Sequence, residues 1–152
     1  MNITLVPIGL QEKEHLNNLL IKYKKELTGN LGRYKYLDSY FEEKDRYPFF
    51  IKVDGNVAGF VLVNNYSIVA KGAKSIGEFF VEQKYRKQGV GKEAAKKVFD
   101  LFPGKWEIRQ LHSNPQGQIF WRKVIKEYID DNYQEVMLNN EKWHGTAQIF
   151  KT

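Results

Sequence analysis

The residues whose types and spacing most directly specify chemistry are Arg86-Lys87-Gln88-Gly89-Val90-Gly91, followed by Lys92. They lie between an apolar, strand-like run, Ile76 to Val81, and an Ala/Lys-rich, helix-like run from Glu93 to Phe102. A strand that turns through glycines into a helix presents unpaired backbone N–H groups and the positive end of a helix dipole, a combination that binds phosphate. Between Glu82 and Lys97 stand six bases (Lys84, Arg86, Lys87, Lys92, Lys96, Lys97) against two acids. A phosphorylated ligand is the expectation.

Two familiar phosphate loops fail on spacing. Gly89-Val90-Gly91-Lys92-Glu93-Ala94 formally matches the dinucleotide fingerprint with Ala in its last place. However, the seven residues Glu82 to Gln88 separate its first glycine from the strand, and Arg109, Gln110, Leu111 and His112 stand where the ribose-binding acid belongs. The nucleoside-triphosphate loop needs a Gly five residues before the Gly-Lys pair and a Ser or Thr after it, but Arg86 and Glu93 occupy those places. A plain connection with glycines for tight packing is the remaining bland reading.

The elements that position this loop are legible as a sequence of strands and helices. A strand is expected at Thr4 to Ile8, then a helix from Gln11 to Leu27 with Leu16, Leu19, Leu20, Tyr23 and Leu27 at helical spacing. An aromatic-rich second helix through Leu37, Tyr40 and Phe41 should end before Pro48. Phe49 to Val53 and Val57 to Val63 read as a hairpin about Asp54-Gly55-Asn56, followed by the strand ending at Val81 and a helix with Val90, Ala94, Val98, Leu101 and Phe102 on one face, stopping at Pro103-Gly104. Trp106 to Leu111 is a strand, and Asn114 with Pro115 opens a helix running to Tyr128. Tyr133 to Leu138 and Trp143 to Phe150 close the chain as strands. The fold class is mixed α/β, and residues 1–152 are expected to form a single domain.

Composition narrows the function classes. The chain has 152 residues, 42% hydrophobic and 14% aromatic, enough to bury a core. It has no Cys, which excludes disulfides and thiol chemistry and fits a cytoplasmic setting. Its three His show no ligand spacing, so no metal is expected. Met1 to Pro7 does not read as a signal peptide and no run reaches membrane-spanning length, so no membrane association is expected. The net charge of +6 and pI near 9.3 invite a nucleic-acid reading. The bases, however, track one loop and its helix without interleaved aromatics, which favours a small charged ligand over nucleic acid.

The loop resembles the coenzyme A loop of the GCN5-related N-acetyltransferases (GNAT), whose pattern is Arg/Gln-x-x-Gly-x-Gly/Ala with an apolar strand end five positions before the Arg. Val81 and Arg86 stand at that spacing, and Asn114 through Trp121 resembles the family's later Asn-x-x-Ala-x-x-Phe-Tyr helix start. The element order is also similar. The resemblance implies a mostly antiparallel sheet with a splayed central strand pair and about four flanking helices. It further implies that Phe79, Phe80 and Val81 hold the pantetheine arm of acetyl-CoA through main-chain atoms. The pyrophosphate would lie on the segment Lys87, Gln88, Gly89, Val90, Gly91 and Lys92, with added charge from Arg86, Lys87 or Lys92. Asn114 would touch the cofactor arm, although a helix cap is its other reading. Trp121 stands where many members place a Tyr near the sulfur. Its indole N–H is no general acid, and it would wall the cofactor channel.

Transfer to an amine needs a base, and Glu78 is the leading candidate. It is a carboxylate in an apolar strand, where burial raises its pKa. A polyamine-acetylating branch of the family carries an acid here in a similar Phe-Phe-Val context. A salt-bridged strand-edge Glu is the alternative. His112 is a second candidate base, with a structural role as its alternative. Tyr34, Tyr36, Tyr40, Trp143 and His144 fall on elements that border the acceptor in this family. The resulting expectation is acetyl-CoA-dependent N-acetylation of a small-molecule or peptide amine by direct transfer, in a monomer or homodimer. A coenzyme A-binding regulatory module and a small basic nucleic-acid-binding domain are the rival readings.

Overall fold

The computed structural model describes residues 1–29 and 32–152. The elements run β1 (Ile3–Pro7), α1 (Lys13–Thr28), α2 (Ser39–Glu42), β2 (Arg46–Val53), β3 (Asn56–Asn64), β4 (Ser75–Val81), α3 (Val90–Leu101), β5 (Lys105–Leu111), α4 (Pro115–Ile129), β6 (Tyr133–Asn139) and β7 (His144–Lys151). The order is the one expected from the sequence, and the class is mixed α/β with predominantly antiparallel pairing. The chain folds as two compact units, Met1–Asn64 with Gly77–Ala94, and Asn65–Ile76 with Ala95–Thr152.

In the first unit the strand order is β1-β2-β3-β4. The β2–β3 hairpin turns at Asp54 and Gly55, both with positive φ (50° and 85°), as a two-residue turn matched to strand twist requires. β2 begins at Arg46 and so takes in Pro48, which was expected to lie outside it. The Pro48 carbonyl accepts from Ile8 N–H (3.0 Å), so its ring nitrogen also faces the β1 side, beyond the last paired residue Pro7. The missing N–H therefore breaks no ladder bond. α1 lays Leu16, Leu19 and Leu20 into a core shared with Tyr34, Leu37, Tyr40, Phe50, Phe60, Leu62 and Phe80. The expected second helix is a single turn, because Tyr34, Leu37 and Tyr40 enter that core one by one. A Cβ at Gly59 on β3 would lie 1.9 Å from the Phe80 carbonyl oxygen, so glycine there permits the closeness of β3 and β4.

In the second unit the order is β5-β7-β6, antiparallel throughout. Phe99 of α3 lies at its aromatic centre, with ring centroids of Trp106 and Phe150 both 5.1 Å away. Lys74 makes one parallel bridge to Trp106. The connection before β4 is organised by Glu107, which is fully buried. Its carboxylate accepts from the N–H groups of Ile68, Val69 and Ala70 at 2.7, 2.8 and 2.7 Å and pairs with Arg109. Burial pushes this carboxyl up, but the three amides and Arg109 outweigh it and hold the group below the usual carboxylate range.

Glu107→Gln leaves Arg109 without its buried partner. It should cost about 3 kcal/mol and lower the thermal midpoint by roughly 6–12 °C. The parent chain should keep this contribution above the ordinary carboxylate range and lose it as pH falls below. Thermal denaturation of the two proteins checks this, and equal midpoints at neutral pH would contradict it.

Candidate active site

One continuous stretch of the first unit, residues 77–94, carries most of the chemistry. Main-chain groups alternate sides along a strand. With the Phe80 carbonyl turned to Gly59 on β3, Phe79 and Val81 direct theirs to the other edge. There the Val81 carbonyl accepts from Arg86 Nε (2.7 Å). The Arg86 guanidinium also binds Glu26 (2.6 Å) and lies over the Phe80 ring at 5.5 Å, tying the end of β4 to α1.

α3 begins at Val90, the first residue of its expected apolar face, so Gly91 is already helical and Gly89 makes the turn, with φ 82°. Lys87 also has positive φ, 61°. The Glu93 N–H closes on the Gly89 carbonyl at 3.0 Å, so the amides of Val90 and Gly91 open the helix ahead of that bond. A Cβ built on Gly89 would meet nothing within 4 Å, so the loop's outer face is open. Gln88 donates to the Lys84 carbonyl (2.9 Å) and steadies the preceding turn.

Glu78 is half-buried on β4, close enough to three tyrosines for its charge to act on them. Burial pushes its carboxyl up to about 7, against the smaller opposing effects of a hydrogen bond from Tyr23 and the charge of Lys24. Glu78's negative charge in turn acts on Tyr23, Tyr34 and Tyr40. Tyr34 and Tyr40 are buried, whereas Tyr36 is exposed. The Tyr40 hydroxyl accepts from Asn64 Nδ2 at 3.1 Å. Both groups stand 2.9 Å from where a Gly77 Cβ would be, so any side chain at 77 would displace them. Arg46 lies over Tyr36 and Tyr40 at 4.9 and 5.2 Å and pairs with Glu43 (3.2 Å).

The second unit holds the other residues singled out from the sequence. The Asn114 side chain caps α4 by accepting from Gly117 N–H at 3.0 Å, with Pro115 in the first helical position. Gly117 stands where the family motif has Ala, and a Cβ there would lie 2.4 Å from Asn114 Nδ2. Trp121 is buried, its ring centroid 6.4 Å from that of Phe99 and 5.0 Å from that of Phe120. His112 is exposed in the turn after β5, its N–H bonded to the His144 carbonyl at 3.0 Å. Trp143 lies under the Arg109 guanidinium (5.3 Å) and donates to the Gln110 carbonyl (3.0 Å).

The sequence matches the Acetyltransferase (GNAT) family model over residues 14–125. The chain belongs to the GNAT acetyltransferase family. No curated protein matches it. An acetyltransferase from Thermus thermophilus shares the fold over 100% of this chain and 98% of its own, with a TM-score of 0.75 at 12% identity. The PaiA N-acetyltransferase of Thermoplasma acidophilum, in complex with coenzyme A, matches over 100% of both chains with a TM-score of 0.64 at 15% identity. The aminoglycoside acetyltransferase AAC(6′)-Ib, in complex with coenzyme A and kanamycin, matches over 99% and 95% with a TM-score of 0.74 at 12% identity. Likeness at these identities is likeness of fold.

Within this GNAT chain, sequence reasoning missed two residues. Tyr23 falls at helical spacing with Leu16, Leu19 and Leu20 and so reads as core, yet its hydroxyl and the Glu78 carboxyl shift each other's pKa. Glu107 satisfies the criterion that singled out Glu78, an acid in an apolar strand, and Arg109 two positions on was the signal of its structural role.

Glu78 has a sign consequence for stability. Its folded pKa lies above its ordinary value of 4.5, so the folded chain holds the extra proton between 4.5 and about 7. Stability should fall as pH rises through that window, by at most about 3 kcal/mol. Glu78→Gln should therefore gain on the parent in urea midpoint from pH 5 to pH 7.5. A difference that does not change with pH would contradict the assignment.

Proposed function

We propose that the chain is an acetyl-CoA-dependent N-acetyltransferase that moves an acetyl group to a primary amine by direct transfer. The observation that carries this reading is Glu78, a half-buried carboxyl at about 7, on the strand that leads into the open glycine loop. The residues fit a coenzyme A. The opening amides of α3 and the Gly89 turn, with Lys87 and Lys92 nearby in sequence, suit a pyrophosphate. The β4 segment Phe79 to Val81 is the candidate for main-chain pairing with an extended arm, in which the Val81 carbonyl would exchange its bond from Arg86. Asn114 and Trp121 are the further candidates for cofactor contact.

When bound, acetyl-CoA supplies an acetyl group already activated as a thioester. An alkylammonium acceptor must first lose a proton, and a carboxylate titrating near neutrality takes it without leaving the working pH range. The β4 edge fixes the acyl group's orientation, which supplies part of the rate through positioning. Trp121 offers no acid for the departing sulfur, which leaves as thiolate or takes its proton from water. With no Cys in the chain, an acyl-cysteine route is absent.

Titration calorimetry should show acetyl-CoA binding, and a thiol-release assay across alkylamines, polyamines, aminoglycosides and peptides should identify acceptors. Glu78→Gln should keep acetyl-CoA affinity while kcat drops about 10²- to 10⁴-fold. In the parent chain kcat/KM should rise with pH to a plateau above about 7, because the base acts deprotonated. Absence of acetyl-CoA binding would overturn the reading, and unchanged turnover in Glu78→Gln would remove this residue from it.

A further inference from the structure

We propose that Tyr23 of α1 is the positioning residue for Glu78, its hydroxyl donating to one carboxylate oxygen so that the other is left to take the acceptor's proton. The inference rests on the assignment of Glu78 as base and extends it to a residue on a different element.

Three observations support it. The Tyr23 ring is held on two sides, edge-on to Phe60 with centroids 5.6 Å apart and tilted against Phe80 at 5.7 Å, so its hydroxyl has a fixed direction. Phe60 and Phe80 are themselves buried and 5.7 Å apart, so this platform belongs to the core. Glu78 and Phe80 are two residues apart on β4 and so share one face of the strand, which brings the Tyr23 ring packed on Phe80 beside the Glu78 carboxyl, whereas Tyr40 has Asn64 as a polar partner.

The groups that face Glu78 come from four elements or segments. α1 brings Tyr23 and Lys24, the segment before α2 brings Tyr34, and α2 brings Tyr40, while Arg46 of β2 acts on the latter two. Lys24 is stacked over the Tyr34 ring at 5.3 Å and Arg46 over Tyr40 at 5.2 Å. Among these groups the Tyr23 hydroxyl, ahead of the Lys24 charge, is what favours the charged carboxylate. Burial first, and the Glu78 charge second, push its hydroxyl far above the usual phenol range, so it remains a donor at every working pH. A donor that favours the charged carboxylate keeps the base usable at lower pH than burial alone would allow.

The test is steady-state kinetics of the full chain with the best amine from the acceptor screen. Tyr23→Phe should lower kcat about 10- to 100-fold, as loss of a hydrogen bond to a charged group does. The KM for acetyl-CoA should hold, and the acid limb of kcat/KM should move to higher pH. The double variant Tyr23→Phe/Glu78→Gln should be no slower than Glu78→Gln alone. A Tyr23→Phe enzyme with the parent's kcat and pH profile, while Glu78→Gln is inactive, overturns the Tyr23 proposal and spares the base. Full turnover in Glu78→Gln overturns both.

A second measurement covers a Tyr23→Phe chain that fails to fold. In the otherwise unsubstituted protein carrying 3-fluorotyrosine, a tyrosine fluorine resonance should follow a midpoint near 7 and lose that response in Glu78→Gln. Absence of any such resonance overturns the proposal.

Discussion

The chemistry proposed for this chain depends on one constraint, the burial of the Glu78 carboxyl on β4. Burial penalises the charged form, and the Tyr23 hydrogen bond and the Lys24 charge only partly offset the penalty, so the group titrates near neutrality. Glu107 supplies the contrast within the same chain. Its side chain has no solvent exposure, yet three backbone amides and Arg109 hold it charged below the usual range. Two glutamates in apolar strands thus end up as a candidate base and a structural anchor, and the difference lies in their partners.

Several close packings serve the position of Glu78. Glycine at 77 lets the Tyr40 hydroxyl and the Asn64 amide close up beside β4, and glycine at 59 lets β3 approach the Phe80 carbonyl. Arg86 then ties the strand's end to α1 by bonding both the Val81 carbonyl and Glu26. Just beyond that clamp the chain turns at Gly89 into α3, so a candidate base, a strand end and the opening of a helix follow one another within one stretch of chain.

Much of this was legible in the sequence. The strands alternate or run apolar, the helices carry their apolar stripe, and Asn114-Pro115 starts α4 as caps and prolines do. The glycine loop was legible because its composition and spacing exclude the commoner phosphate loops. Val90 was legible on the apolar face of α3, and Gly91 beside it is helical although glycine weighs against helix in a local reading. α2 was overestimated at its start, because Leu37 joins the same core as Tyr40 from the turn before the helix. Pro48 argues against a strand only when its missing N–H faces a partner, and the sequence does not say which way it faces. The partners of Glu78 were invisible for a different reason. Tyr23 is 55 positions from Glu78 in the chain, and helical periodicity reports which face is buried without reporting which polar atom on that face has work to do.

The most direct test of this account is the titration of the Glu78 side-chain carboxyl by carbon-13 NMR in the full chain with glutamate labelled at Cδ, assigned by the resonance lost in Glu78→Gln. The account predicts a midpoint near 7, far from the 4.5 of an ordinary glutamate. A midpoint at the ordinary value would contradict it, because the carboxylate would then be too weak a base for an alkylammonium acceptor and the burial of Glu78 would carry no chemistry.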